Sequence, residues 1–95
     1  MARYRKKPVT VEAVLVGEIL DAWVDGEERT LPDWVLQAFA DRTIDALGGL
    51  ELYVRTLEGI MTGDRDDMLI RGVQGELYLC KPDIFQATYE LVDEK

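Results

Sequence analysis

The chain has no histidine, a single cysteine and three prolines, and no apolar run in it approaches membrane-spanning length. Each of these absences removes a class of function. Without histidine there is no imidazole base, no His-dependent triad and no His-ligated zinc site. Cys80 alone cannot close an internal disulfide, which fits a reducing compartment. No window reaches the roughly 18 apolar residues of a membrane helix. The opening Met-Ala-Arg-Tyr-Arg-Lys-Lys is basic and leads into Pro8 and an alternating pattern, not the unbroken apolar stretch of a secretory signal. The expectation is a cytoplasmic protein with no membrane partner.

Positive charge is also scarce. Eleven Lys and Arg stand against 19 Asp and Glu, for a net charge of -8. Residues 1–7 hold Arg3, Arg5, Lys6 and Lys7 with no acid, so the remainder of the chain carries -12. Binding duplex DNA requires a basic face that displaces counterions, and a body this acidic is repelled, so no duplex DNA partner is expected. Two uses of the acidity stay open: plain solubility, or imitation of nucleic acid in a basic groove of another protein. Residues 1–7 read as a solvated basic arm ahead of one domain over residues 8–95, since a chain of this length has room for one core.

The pattern of what is present predicts an α+β fold. Pro8–Val16 is β-branched and alternates, with Val9, Val11, Ala13 and Leu15 on one face, and Gly17 ends it. Ile19, Leu20, Trp23 and Val24 recur at helical spacing up to Asp25-Gly26. Pro32 and Asp33 suit a helix entry, followed by a stripe of Trp34, Val35, Ala38 and Phe39. Both tryptophans are expected to fill the core. From Leu50 the period becomes two, with Leu50, Leu52 and Val54 on one face, then a turn at Leu57–Gly59 and a short strand over Ile60–Thr62. Met68–Val73 and Glu76–Cys80 pair across Gln74-Gly75. Lys81-Pro82-Asp83 breaks that strand, one turn of helix follows around Ile84 and Phe85, and Tyr89–Val92 closes as a strand. The sum is a single small domain, two short helices packed on a bent, mainly antiparallel sheet, with the first strand beside the last.

Chemistry-bearing constellations are few. Cys80 has Lys81 beside it, but neighbours on a strand point to opposite faces, so a structural thiol is the reading. Asp64, Asp66 and Asp67 invite a calcium loop, yet the sixth residue from Asp64 is Leu69 and the twelfth is Gly75, which breaks the EF-hand pattern. That segment reads as an exposed acidic loop. The glycines spell neither a P-loop nor a dinucleotide fingerprint. No catalytic residue, metal or cofactor is expected, and the chain does not read as an enzyme. The candidate ligand contacts are Arg55, Arg71, Lys81, Tyr53, Tyr78 and Tyr89. Arginine and tyrosine on one sheet face can hold an anionic, ring-bearing ligand, or can equally form the polar outer face of an antiparallel sheet.

Tyr4–Ala13, Leu57-Glu58-Gly59 with Met61, and Leu69–Glu90 together resemble a family of small proteins of tailed bacteriophages and prophages. The text of that family runs Y-R-K-K-P-V-x-V-E-A near the start, and near the end G-D-aromatic-I-I-R-G-V-x-G-E-x-Y-P-C-K-P-D-I-F-x-x-T-Y-E. This chain departs from it at Arg65-Asp66, at Met68 in place of the aromatic residue, and at Leu79 in place of proline. The resemblance implies a phage context in a bacterial host cytoplasm and names no activity. Three readings follow from it. The first is a host-directed, anti-defence or takeover inhibitor that engages a host protein through its acidic surface. The second is a binder that sequesters a small anionic, nucleotide-like immune signal, with a homo-oligomer possible. The third is a structural or morphogenesis-associated phage protein.

Overall fold

The computed structural model describes residues 1–5 and 7–92; Lys6 of the basic arm and residues 93–95 lie outside them. The first strand is shorter than its β-branched text predicts. Residues 8–11 carry no secondary structure, and β1 covers Glu12–Leu15. Val14 is the buried residue of this strand, so the core-facing register is offset by one from the Val9, Val11, Ala13, Leu15 set. Helix α1, Val16–Asp25, then begins ahead of Gly17 instead of after it. Gly17 fits there because another segment runs against it: a Cβ would stand 3.0 Å from the Arg65 carbonyl oxygen.

The early start of α1 decides which of its residues are buried. Val16, Ile19 and Leu20 are fully buried, while the last turn overhangs the core. Trp23 is 41% exposed and stacks on Phe39 with ring centroids 4.9 Å apart, so it does not fill the core as expected. A 3-10 turn over Glu28–Thr30 leads to α2, Asp33–Ala40, with Pro32 at its cap and Asp33 in the first turn, where a carboxylate complements the helix dipole. Val35 and Ala38 are buried, and Trp34 packs half-buried against the cluster.

The strands form two antiparallel three-stranded sheets in place of one bent sheet. The first has the order β1-β5-β6, with β5 at Met68–Arg71 and β6 at Leu77–Cys80. The second has the order β2-β3-β4, with β2 at Ile44–Asp45, β3 at Leu52–Thr56 and β4 at Gly59–Gly63. A 3-10 turn at Leu47–Gly49 separates β2 from β3 and leaves Leu50 exposed, whereas Leu52 and Val54 are fully buried. β6 packs against β3 and β4 and so joins the sheets. The β5–β6 hairpin turns through Gly75 at φ 84°, as its chemistry predicts.

β1 pairs with β5, from Glu12 opposite Arg71 to Leu15 opposite Met68, and not with the end of the chain. The expected closing strand at Tyr89–Val92 is absent. Helix α3 spans Pro82–Thr88, about two turns instead of one, with Pro82 in its first turn; Tyr89 is its cap. With β1 and β6 on its two sides, β5 has no open edge left to take another strand.

Asp64, Arg65 and Asp66 are exposed, as the composition of this loop predicts, but Asp67 is not. Asp67 is 2% exposed, and its Oδ2 accepts hydrogen bonds from the Asp64 amide and from Lys81 Nζ, each at 3.1 Å. The backbone carbonyls of Asp67 and Arg65 accept the amides of Val16 and Gly17 at 2.9 and 3.0 Å. Leu15, at the cap position of α1, has no acceptor side chain, so this loop caps the helix from a distance. Arg65 Nη2 donates to both carboxylate oxygens of Asp21, at 2.8 and 2.9 Å. Replacing Asp67 by Ala leaves the Asp64 amide without its acceptor, and the expected loss in urea denaturation is about 1–3 kcal/mol. The neighbouring Asp66→Ala, at an exposed side chain, is expected to stay within about 0.5 kcal/mol. Equal effects would show that the loop is held by composition and not by the buried carboxylate.

Candidate functional site

An open groove of about 940 Å³ lies where α2 meets the ends of both sheets. Helix α2 contributes Asp33, Trp34, Gln37 and Ala38. The β3–β4 hairpin contributes Arg55, Leu57, Glu58 and Met61, and the β5–β6 hairpin contributes Arg71, Glu76, Leu77 and Tyr78. Its apolar lining is Trp34, Ala38, Leu57, Met61 and Leu77. Leu57, at the hairpin tip, is fully exposed, and Met61 is 40% exposed.

Carboxylates outnumber cations around this lining. Asp41 accepts the Thr43 hydroxyl at 2.6 Å and the Thr43 amide at 3.0 Å, which holds its carboxyl below the usual range. Glu76 accepts the Gln74 amide at 3.0 Å inside its own turn. Asp33 and Glu58 make no side-chain hydrogen bond among the described residues and present free carboxylates to the groove. The two arginines are already engaged. Arg55 Nε donates to the Arg42 carbonyl at 3.1 Å, and Arg71 pairs with Glu12 at 3.2 Å.

Of the six residues singled out from the sequence, Arg55, Arg71 and Tyr78 border this groove, and Tyr53, Lys81 and Tyr89 do not. They do not form one basic and aromatic face. Alternation along β5 and β6 puts Arg71 with Leu69, Leu77 and Leu79, and puts Tyr78 with Ile70 on the opposite side. Tyr53 is half-buried on β3 between Asp45 and Thr62. Lys81 serves the Asp67 carboxylate, and that hydrogen bond, together with the charge behind it, raises the Lys81 pKa. Burial raises the pKa of the Cys80 thiol, and the nearby Asp67 charge adds to this, which keeps it protonated and poorly nucleophilic. No group of three or more His, Cys, Asp or Glu among the described residues could hold a metal ion, and no helix among them is long and apolar enough to cross a membrane.

Asp33, Trp34, Leu57, Glu58 and Met61 escaped the sequence reading because they come from segments assigned to a helix entry, a core stripe, a turn and a short strand. One signal was available: Leu57 is a large apolar residue at the tip of a tight hairpin, where burial is geometrically difficult.

Tyr78 and Tyr89 form a separate contact, with their hydroxyls 3.1 Å apart and Tyr89 stacked on Phe85 at 5.0 Å. Burial, then the bond to Tyr89 and the charges nearby, push the Tyr78 hydroxyl up to about 12. A folded-state pKa above the unfolded value contributes stability that is complete below the ordinary tyrosine range and is lost as pH rises toward about 12. Tyrosinate absorbance during alkaline titration should therefore show a late step that disappears in Tyr78→Phe. A late step that survives the substitution would refute the assignment.

No family model, curated protein or solved structure matches the chain.

Proposed function

We propose that this chain is a non-enzymatic binding protein that engages a basic segment of a host protein through the acid-rimmed groove. The observation that carries this reading is the exposed apolar lining, Leu57 and Met61 beside Trp34, flanked by the free carboxylates of Asp33 and Glu58. A buried apolar anchor inside a charged rim is the usual anatomy of a protein interface: apolar contact supplies affinity, and charge steers the partner in and selects it. The phage-like text at Tyr4–Ala13 and Leu69–Glu90 supports a host protein as the partner and inhibition of a defence or takeover target as the outcome.

Sequestration of an anionic nucleotide-like signal is the weaker reading. Arg55, Arg71 and Lys81 are each engaged by protein oxygens, and the groove carboxylates repel phosphate. A structural role in the phage particle predicts no dependence on the groove at all.

The test compares the wild-type chain with Asp33→Lys/Glu58→Lys, each recovered gently from bacterial host cells and analysed by native mass spectrometry. A host protein with a basic surface is expected on the wild type, released as salt rises, and reduced roughly tenfold or more by the double reversal. Equal recovery by both chains would overturn the groove reading. A small anionic molecule in place of a protein would favour the nucleotide reading.

A further inference from the structure

Residues 1–7 are the chemical complement of the groove. They carry four cations, no acid, and one aromatic ring, Tyr4. The groove offers the Asp33 and Glu58 carboxylates around Leu57, Trp34 and Met61. The described residues of the arm make no side-chain hydrogen bond or ion pair among the described residues. Met1 is fully exposed and Tyr4 is 95% exposed, and no element holds residues 1–5. The molecule measures 53 Å along its longest axis and 24 Å along its shortest.

The connection between arm and body decides where the arm can go. Glu12, the first residue of β1, lies opposite Arg71 on the border of the groove. The intervening Pro8-Val9-Thr10-Val11 favours extended backbone, because proline fixes its own φ and three β-branched residues follow. Residues 1–5 and 7–10 are all exposed, so the arm is not seated in the groove of its own chain. Fully extended, the 11 residues before Glu12 reach about 36 Å, enough to cross to another molecule.

We propose that the basic arm of one copy seats in the acid-rimmed groove of a second copy, and the second copy's arm in the first, forming a reciprocally arm-exchanged dimer. The inference rests on the same groove reading and adds its own occupant. Two bodies of -12 repel one another, and each arm of +4 neutralises part of the body it enters. The exchange is self-complementary, so it closes at two copies. Because the arm fills the groove, a basic partner segment has to displace it, and self-association and partner binding exclude each other.

The test is a charge swap on the full chain, read by sedimentation velocity. One variant reverses the arm, Arg3→Glu/Arg5→Glu/Lys6→Glu/Lys7→Glu, and the other reverses the groove, Asp33→Lys/Glu58→Lys. The wild type is expected to dimerise at low salt and dissociate as salt rises, and each variant alone is expected to be monomeric. Their equimolar mixture should form a heterodimer, since acidic arms then meet basic grooves and basic arms meet acidic grooves. Recovery in the mixture also shows that both variants are folded. A wild type that is monomeric throughout, an arm-reversed chain that still dimerises, or a mixture that stays monomeric would each overturn the exchange. A synthetic peptide of residues 1–8 separates the two readings. Binding to the wild-type groove that is lost on groove reversal leaves the groove reading standing when the exchange fails, and equal binding to both grooves removes both.

Discussion

The loop from Asp64 to Asp67 joins α1, β6 and the strands on either side of it through a few hydrogen bonds. Its carbonyls cap α1, its Arg65 grips Asp21 farther along the same helix, and its buried Asp67 carboxylate draws in Lys81 from the end of β6. A carboxylate removed from water needs a partner, and here the partner comes from a residue 14 positions later in the chain. The Lys81 ammonium stays largely exposed while Asp67 does not, so the pair is anchored on its buried member. The surface bond between Arg65 and Asp21, exposed on both sides, adds at most about 1 kcal/mol.

The groove depends on this arrangement. β4 ends where the loop begins, β5 starts where it ends, and β6 lies across β3 and β4. Holding the loop therefore fixes how the two sheets meet, and the open end of that junction, covered on one side by α2, is the groove. Lys81, which its cationic charge singled out as a ligand contact, is part of the scaffold. The same holds for Tyr89, whose hydroxyl meets that of the groove residue Tyr78 and ties α3 to the sheet on the Ile70 side.

The resulting surface has an unusual distribution of charge. The body is strongly acidic, its arginines near the groove are engaged, and four of the 11 cations of the chain stand in the arm, which carries no acid. A chain built this way attracts basic segments, and it carries one of its own. Self-recognition and recognition of a partner become competing uses of one set of carboxylates.

The α+β class, the second helix, the β3–β4 and β5–β6 hairpins and the Gly75 turn were legible in the sequence, because each is set by local periodicity or by the φ a turn demands. The length and the partner of the N-terminal strand were not, since its β-branched text favours extension equally well whether or not a neighbour is there to pair with it. The burial of Asp67 was also out of reach: beside Asp64 and Asp66 its composition says solvent, and only the approach of α1 and Lys81 makes it interior. The helix at Pro82–Thr88 runs longer than the single turn its text suggested, and residues 89–92 form no strand, while β1 takes the edge of β5. Of the six candidate contacts, three reached the groove and three went into the framework. Side-chain chemistry names what a residue can bind, but the register and crossing of distant strands decide whether it is free to do so.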